Sequence, residues 1–392
     1  MPIPERTSRL PAAERFDVIC FSLEPWNEVW RRNQHFASEL LRQRQDLHLL
    51  FVEPPVDVTW TLRQGHRPHR SPLRPVGDTD RLHVMAPLKW LPRRLRPDGD
   101  RARFASVTDA ARRLGFHRPV LWVNDYTYAP LLEATTWPVV YDVTDDWTLA
   151  GGKAGSAERE RRNDARMLRI ATEVVVCSPS LADSRGRERD VHLIPNGVDV
   201  EFLREPTARP DDLPGGRTVL YQGTLANGRI DLDLCLALCR EIAGRATLVF
   251  VGPNSLPRDD TKALTDAGAV LLGGRPYERV PGYLQHADVL VVPHRIDPFT
   301  ESLDPIKARE FQAVARPVVT TPVAGFRELG PPVVVADRAG FVGAVSTVLD
   351  GPAVPPGPGP LRHRPVSWAA RASDFLAVLE SAAGGGPVSG GA

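Results

Sequence analysis

The stretch VLVVPHRIDPFTESLDPIKAREFQAVARPVVTTP, residues 289–322, carries the pattern that decides the fold. Its two ends are short runs of β-branched residues closed by proline, which is typical of buried parallel strands. Between them, Asp304 at the N-cap and Pro305 at the first helical position predict a helix that runs through Ala315. The helix therefore begins just beyond the end of a parallel strand, where open α/β sheets bind phosphorylated ligands on free amide groups.

Two side chains near the start of this helix suggest a binding site. Lys307 supplies a cation for a phosphate, and Glu310, three residues later on the same face, suits the paired hydroxyls of a ribose or another sugar. The alternative is an ordinary surface pair on an amphipathic helix. Asp304 also places a negative charge where a phosphate would bind, so this stretch alone leaves both interpretations open.

Apolar runs alternate with helical patterns along the rest of the chain, as in βα units around parallel sheets. Strands are predicted at 17–23, 47–54, 82–87, 119–125, 139–143, 173–178, 191–195, 218–224, 246–252, 269–274, 289–293, 317–321 and 333–337. Helices are predicted at 29–45, 101–115, 157–171, 231–242, 259–267, 277–286, 305–315 and 366–382. The predicted fold class is therefore α/β, with two tandem doubly wound, Rossmann-like domains.

Composition shifts predict the domain boundaries. An N-terminal domain is expected over residues 1–203, a Pro/Gly-rich linker over 204–216 and a C-terminal domain over 217–351. A Pro-rich linker and a last helix follow over 352–383. Residues 384–392, GGGPVSGGA, are predicted to be a disordered tail.

Composition also excludes several classes of protein. The chain has 392 residues, and 42% of them are hydrophobic, as in globular proteins. Its net charge is only +1, so the chain as a whole has no strong positive electrostatic field that would attract nucleic acid. Its four cysteines lack metal-ligand spacing and are expected to be core residues in a reducing compartment. No apolar leader or membrane-spanning run occurs. We therefore expect a cytoplasmic protein, either free or peripheral at the inner face of the membrane.

The stretch 63–103 is rich in Lys and Arg and contains Trp90 and Leu91. It can serve as a contact for an anionic acceptor or a membrane surface. The alternative is a solvated loop.

Five segments of the second half resemble the group-1 glycosyltransferases, which are retaining enzymes of GT-B fold. They are HLIPNGVDVEFL (192–203), YQGTLANGRIDLDL (221–234), RPYERVPGYLQHADVLVVP (275–293), DPIKAREFQAVARPVV (304–319) and SWAARASDFL (367–376). In the first half, EPWNEVWRRNQHFASELL (24–41) and VVYDVTDDW (139–147) resemble a bacterial branch that builds cell-envelope or secondary-metabolite glycans.

The resemblance implies a nucleotide-diphosphate sugar as donor, bound mainly by the C-terminal domain, and no cofactor or essential metal. Glu310 falls on the family's ribose-binding glutamate, and Lys307 with the amides around Asp304 and Ile306 falls on its phosphate-binding turn. Arg229 falls on a basic residue after the domain's first strand. The predicted donor site also includes the residues Gly223, Thr224, His294 and Ser302.

The chain departs from the family pattern at three positions. Ser302 stands where the family usually has the first glutamate of a Glu-x7-Glu pair, with Glu301 one residue out of register. Thr224 replaces a common arginine after the strand glycine, and Arg316 replaces a glycine. Lys307 and Arg229 would then have to offset most of the diphosphate charge.

The predicted catalytic residues are Asp145 and Asp146, which follow the strand VVYDV at its C-terminal end with Asp142 behind them. A carboxylate there can orient an acceptor hydroxyl, although an aspartate after a strand often only caps the next helix. No His or Glu completes a metal site around these aspartates, so none is predicted.

Residues at other strand ends complete the predicted cleft. Trp26, Arg31 and Arg32 lie between the first strand and helix, where a tryptophan can stack on a sugar and an arginine can bind a phosphate. Asn124 follows another strand, and Asn196 lies in the crossing motif between the domains. The alternative is that Trp30 and Phe36 form the core face of this helix while the arginines form its exposed face.

The function predicted from the sequence is retaining transfer of a sugar to a glycan, a lipid-linked acceptor or a small natural product. One alternative is a nucleotide-sugar epimerase, which would need acids and a histidine around the sugar. The other is a non-catalytic scaffold subunit of a glycosyltransferase complex, an alternative that the incomplete Glu-x7-Glu pair supports.

Overall fold

The computed structural model describes residues 15–63, 71–77, 79–89, 99–149 and 156–384. Two parallel β-sheets flanked by helices fill this part of the chain, which confirms the predicted α/β class with two Rossmann-like domains. The predicted tail beyond residue 384 and residues 64–70, 78 and 90–98 of the basic stretch lie outside the described residues.

The described residues of the first half contain ten strands. They are β1 (Val18–Phe21), β2 (Leu49–Val52), β3 (Val56–Asp57), β4 (Ser71–Pro75), β5 (Leu82–Ala86), β6 (Leu88–Lys89), β7 (Val120–Val123), β8 (Val139–Val143), β9 (Glu173–Val176) and β10 (His192–Leu193). Eight form a sheet in the order β10-β9-β8-β7-β1-β2-β5-β4, in which only β4 is antiparallel to its neighbour. The strands β3 and β6 pair separately.

Six α-helices accompany these strands in the same described ranges. They are α1 (Arg32–Gln43), α2 (Val58–Arg63), α3 (Gly99–Arg113), α4 (Ala129–Leu132), α5 (Ser156–Ile170) and α6 (Pro179–Arg185). Helix α1 follows β1 and covers one face of the sheet with Phe36, Ala37 and Leu40, which are fully buried.

The second half repeats the pattern with six parallel strands. They are β11 (Thr218–Gln222), β12 (Thr247–Val251), β13 (Val270–Gly273), β14 (Val289–Val292), β15 (Val318–Thr320) and β16 (Val333–Val335), in the order β13-β12-β11-β14-β15-β16. The helices are α7 (Val200–Arg204), α8 (Leu232–Ile242), α9 (Arg258–Asp266), α10 (Val280–His286), α11 (Pro298–Glu301), α12 (Ile306–Val314), α13 (Phe341–Asp350) and α14 (Trp368–Gly384).

The last helix, α14, crosses back onto the first sheet, as predicted. Its Phe375 stacks on Phe36 of α1 with ring centroids 5.0 Å apart and also contacts Trp122 of β7. Trp368 at its start packs against His35 at 4.4 Å. Because these rings belong to the hydrophobic core of the first half, the end of the chain stabilises the N-terminal sheet.

The long predicted strands and helices are all present, but the start of α12 was predicted wrongly. The helix begins at Ile306 with Pro305 as its N-cap, and no side chain caps it. The Asp304 carboxylate instead accepts a hydrogen bond from the Asn196 amide at 2.6 Å, a partner too distant in sequence for local helix rules to find. Ala315 ends the helix in the left-handed conformation, with φ of 54°.

The cysteines and the helix lengths of the described chain can be compared with the predictions made from composition. All four cysteines are buried and unpaired, as expected for core residues. Within the described ranges, no helix has both the length and the apolar character needed to span a bilayer.

Each sheet has one position where the strand order reverses. In the first sheet β1 lies between β2 and β7, and in the second β11 lies between β12 and β14. Chain connections leave such a point in opposite directions and open a crevice at the C-terminal ends of the strands. Residues from both crevices line one cavity between the two sheets.

Candidate functional site

The interdomain cavity has a volume of about 230 Å³. It brings together most of the residues predicted from the sequence: Arg31, Arg32, Asn124, Asp145, Asn196, Gly223, Thr224, Arg229, His294, Asp304, Ile306, Lys307 and Glu310. Residues after β11 and β14 and the first turns of α12 form its C-terminal wall. Residues after β1, β7 and β8, together with the start of α1, form its N-terminal wall, which includes Asn33, Asn124, Thr144 and Asp145.

A buried lysine occupies the C-terminal wall. Lys307 Nζ donates a hydrogen bond to Tyr221 Oη at 2.9 Å and lies 4.2 Å from the centre of the same ring. Tyr221 Oη is also 3.1 Å from His294 Nε2. The pKa of Lys307 falls to about 7, first because of burial and second because of the nearby Arg229, while Glu310 opposes the shift. Lys307 and Arg229 are two neighbouring cations, and among the described residues no carboxylate is hydrogen-bonded to Lys307. This arrangement favours an anionic ligand such as a diphosphate.

The backbone at the end of β11 makes room for this lysine. Gly223 has a φ of 132°, and a Cβ at this position would lie 2.6 Å from Lys307 Nζ. A side chain would therefore strain the backbone and displace the ammonium group. A glycine after the first strand of the domain is needed here for both reasons.

Glu310 lies one turn after Lys307 on α12 and is 5% exposed. Burial raises its pKa to about 7, while Lys307 and a hydrogen bond from Gln222 oppose the shift. Gln222 Oε1 has no partner within the described part of the chain. A carboxylate and an amide oxygen therefore stand together as acceptors, the arrangement that paired hydroxyls require.

Arg229 and Asp145 connect the two walls. The Arg229 guanidinium lies 3.4 Å from the Asp145 carboxylate and 5.5 Å from the centre of the Phe299 ring. Burial raises the pKa of Asp145, and Arg229 opposes this shift. A carboxylate of the N-terminal domain thus stands beside a cation of the C-terminal domain.

Arg32 lines the cavity, but its guanidinium is committed to other side chains. It donates to both carboxylate oxygens of Asp142, at 3.2 and 3.1 Å, and to Asn196 Oδ1 at 3.1 Å. Trp122 Nε1 donates to the same Asp142 at 3.1 Å. Asn196 then bonds Asp304 through its backbone amide and its side chain. Arg32 therefore connects the N-terminal sheet to the start of α12.

Three predicted site residues do not line the cavity. Asp146 accepts two hydrogen bonds from Arg185, at 2.7 and 3.0 Å, and one from the Thr148 amide, so the capping alternative fits it better. Ser302 Oγ donates to Phe299 O at 2.7 Å. Trp26 packs against Phe51, with ring centroids 5.0 Å apart. Each side chain is held by neighbours away from the cavity surface.

Several lining residues were missed by the sequence analysis. Glu24 follows β1 and pairs with Arg31 at 3.1 Å, while its side chain remains 39% exposed. Trp30 was named only in the alternative, as part of the core face of the first helix, but it lines the cavity and stacks on Tyr277 of the second half. Asn33 and Gln222 were not singled out. Glu24 could have been found because it follows a buried strand, but no local signal marks Asn33 inside a helix.

Among the described residues, no three His, Cys, Asp or Glu side chains are grouped to hold a metal ion. Each of the three neighbouring aspartates pairs with a different arginine: Asp142 with Arg32, Asp145 with Arg229 and Asp146 with Arg185.

Comparison with known sequences supports the resemblance seen in the motifs. Residues 216–351 match the family model for glycosyl transferases group 1, which confirms the predicted resemblance to that family. The chain is also similar to a Bacillus subtilis (strain 168) protein named "Putative teichuronic acid biosynthesis glycosyltransferase TuaH", with 27% identity over 239 residues. The match covers 55% of this chain and 59% of that protein, less than two thirds of its length.

Solved structures share the fold. Sucrose-phosphate synthase from Thermosynechococcus elongatus superposes with a TM-score of 0.63 and 17% identity, covering 94% of this chain and 96% of the other. Anabaena Alr3699/HepE, solved in complex with UDP and glucose, gives a TM-score of 0.58 and 13% identity, covering 94% and 98%. At these identities the likeness establishes the fold alone, and it confirms the predicted GT-B architecture.

Proposed function

We propose that the chain is a retaining glycosyltransferase that moves a sugar from a nucleotide-diphosphate sugar to an acceptor hydroxyl in the interdomain cavity. The observation that carries this proposal is the placement of Lys307 and Glu310. They lie one turn apart at the start of α12, and both reach the crevice between β11 and β14. A cation and a carboxylate at that spacing match the diphosphate and the ribose of one nucleotide.

The proposed chemistry follows from the charges on the two walls. Lys307, Arg229 and the free amides at the start of α12 stabilise the leaving diphosphate as negative charge develops on it. Asp145, whose pKa burial raises, orients the acceptor hydroxyl from the N-terminal wall. Retention of the anomeric configuration is taken from the family resemblance.

The relatives support the choice of substrates. The Anabaena structure contains UDP and glucose, and the Bacillus relative is named for teichuronic acid biosynthesis. We propose a nucleotide-sugar donor bound by residues 217–351 and a glycan, lipid-linked or natural-product acceptor bound by residues 1–203. A cytoplasmic location, at the membrane surface if the acceptor is lipid-linked, fits this reaction.

A thermal-shift panel of UDP, GDP, TDP, ADP and CDP tests the proposal. A ligand at a hundred times its Kd stabilises the folded state by about 2.7 kcal/mol. We expect one diphosphate to stabilise the wild type and Lys307→Ala to lose that shift. Lys262→Ala is the matched control, because Lys262 is exposed in the same half and pairs only with Asp266 one turn away.

The outcomes separate the candidate functions. A shift that Lys307→Ala removes, followed by release of the diphosphate from the matching sugar nucleotide, supports the transferase. A nucleotide shift without hydrolysis or transfer favours the scaffold subunit. No shift with any of the five diphosphates rejects the donor site.

A further inference from the structure

The N-terminal wall contains a buried amide oxygen that no residue in the described part of the chain satisfies. Asn33, the second residue of α1, is 3% exposed and lines the cavity. Its Nδ2 donates to Ser22 Oγ at 2.9 Å and to Asn124 Oδ1 at 3.2 Å. Its Oδ1 has no hydrogen-bond partner among the described residues. A buried acceptor without a donor is costly, so a ligand that supplies one is favoured.

The orientation of this amide is fixed by neighbouring backbone groups. Asn124 Nδ2 donates to the Asp142 carbonyl at 2.9 Å, and Asn124 Oδ1 accepts from the Leu23 amide at 3.5 Å. A backbone carbonyl only accepts and a backbone amide only donates, so Asn124 cannot be turned over. Asn33 must then present Nδ2 to Asn124 Oδ1. Its own Oδ1 therefore points away from this pair.

The groups around Asn33 select the kind of ligand. Asp145 and Glu24 line the same side of the cavity, and as carboxylates they add further acceptors. Arg31, which lines the same cavity, is paired with Glu24 at 3.1 Å and donates to the Val29 carbonyl at 3.1 Å. Arg32 is held by Asp142. This wall is rich in acceptors while its cations are already paired, so it favours hydroxyl donors over phosphate or carboxylate groups.

We infer that the acceptor end of the cavity binds an uncharged sugar, one of whose hydroxyls donates a hydrogen bond to Asn33 Oδ1. This inference rests on the proposed function, because it names the acceptor of that reaction. It makes Asn33 a specificity-determining residue and places a neutral glycan end, rather than a sugar phosphate or a uronic acid, beside Asp145. The binding step is non-covalent and changes no protonation state.

Saturation-transfer NMR on the full chain tests the inference. The protein is first saturated with the nucleoside diphosphate selected by the panel above. Methyl glycosides of glucose, galactose, mannose and N-acetylglucosamine are then compared with glucose 6-phosphate and glucuronic acid. We expect at least one neutral glycoside to bind more tightly than both charged sugars. Tighter binding of a charged sugar, or binding of none of the neutral ones, would overturn the inference.

Variants show whether Asn33 Oδ1 is responsible. We expect Asn33→Leu to weaken binding of the neutral glycoside about tenfold, the loss of one buried hydrogen bond. Ser22→Ala is the matched control, because it removes a partner of Asn33 Nδ2 and leaves Oδ1 in place. Thermal melts of both variants report folding. Equal sugar affinity in Asn33→Leu and the wild type would contradict the inference.

Binding of the donor to the same variant is a separate test. We expect Asn33→Leu to bind the nucleoside diphosphate and its glucose conjugate as the wild type does. A selective loss of the glucose conjugate would place Asn33 on the donor sugar and overturn the acceptor assignment. If the wild type binds no diphosphate, the proposed function itself fails, and this result is distinguishable from failure of the sugar binding.

Discussion

Lys307 Nζ lies 2.9 Å from Tyr221 Oη and so connects the start of α12 to the end of β11. The phenol is a neutral partner, since burial raises the pKa of Tyr221. The lysine is therefore buried beside Arg229 without a directly bonded carboxylate. This arrangement explains why its pKa falls to about 7, from an ordinary value of 10.5.

The first prediction concerns the pH dependence of nucleotide binding. A diphosphate favours the charged form of Lys307 and raises its pKa, so binding takes up a proton when the pH lies above 7. By linkage, affinity for the diphosphate should fall as the pH rises from 6.5 to 8.5, by up to about tenfold per unit. Isothermal titration calorimetry in buffers of different ionisation enthalpy measures the proton directly.

Two variants identify the group that titrates in this experiment. Lys307→Arg keeps its charge at every pH tested, so its affinity should be nearly independent of pH. Glu310 also has a pKa of about 7 and is therefore a competing source of the effect. Glu310→Gln should keep the dependence if Lys307 is responsible. A dependence that survives in Lys307→Arg would contradict this prediction.

The second prediction concerns the glycine at the end of β11. Gly223→Ala should abolish the thermal shift by the diphosphate, because the added methyl carbon would lie 2.6 Å from Lys307 Nζ and displace it, and because φ is 132°. Backbone strain should also cost about 1–2 kcal/mol of folding stability. Gly228→Ala, in the same loop, is the control, since nothing lies within 4 Å of its added Cβ. Normal binding by Gly223→Ala would show that Lys307 is not confined there.

The third prediction concerns the buried pair between Arg32 and Asp142. Asp142 is 0% exposed and Arg32 is 4% exposed, so removing one partner leaves a charge in the interior. Asp142→Asn should lower the free energy of unfolding by about 3–5 kcal/mol. Arg245→Met removes the exposed pairs with Asp350 and Glu241 and should cost no more than about 1 kcal/mol. Urea denaturation compares the two, and equal losses would argue against the structural role of Arg32.

The sequence predicted the parts of this site that depend on local patterns. Buried strands closed by Pro or Gly located the ends of β11 and β14, and helical spacing put Lys307 and Glu310 on one face. It could not separate Asp145 from Asp146. Both follow the same strand, and the difference arises because Arg185 reaches one of them from α6. Such pairings join residues far apart in the chain, beyond any local pattern.

The same limit applies to the N-terminal wall. The role that we infer for Asn33 depends on the orientation of Asn124, which is set by the backbone of Leu23 and Asp142. Arg32 was predicted to line the cleft because it lies in the connection between the first strand and helix, where an arginine can bind a phosphate. Its bond to Asp142, 110 positions away, becomes visible only in three dimensions.

The last prediction separates the two neighbouring aspartates. Asp145 lies 3.4 Å from Arg229, which we propose binds the diphosphate, so the carboxylate competes with that ligand. Asp145→Asn should therefore bind the diphosphate more tightly than the wild type, by a few-fold. It should also lose catalysis by about a hundredfold or more, because the group that orients the incoming hydroxyl or water is weakened. Calorimetry gives the affinity, and release of the diphosphate from the sugar nucleotide gives the rate.

Asp146→Asn is the matched control for this experiment. Its carboxylate is held by Arg185 at 2.7 Å and does not line the cavity. The variant should melt at a lower temperature while its folded form keeps the wild-type affinity for the diphosphate. Weaker binding by Asp145→Asn would mean that the carboxylate positions Arg229 for the ligand. An undiminished rate in Asp145→Asn, or a selective loss of rate in Asp146→Asn, would move the catalytic role away from Asp145.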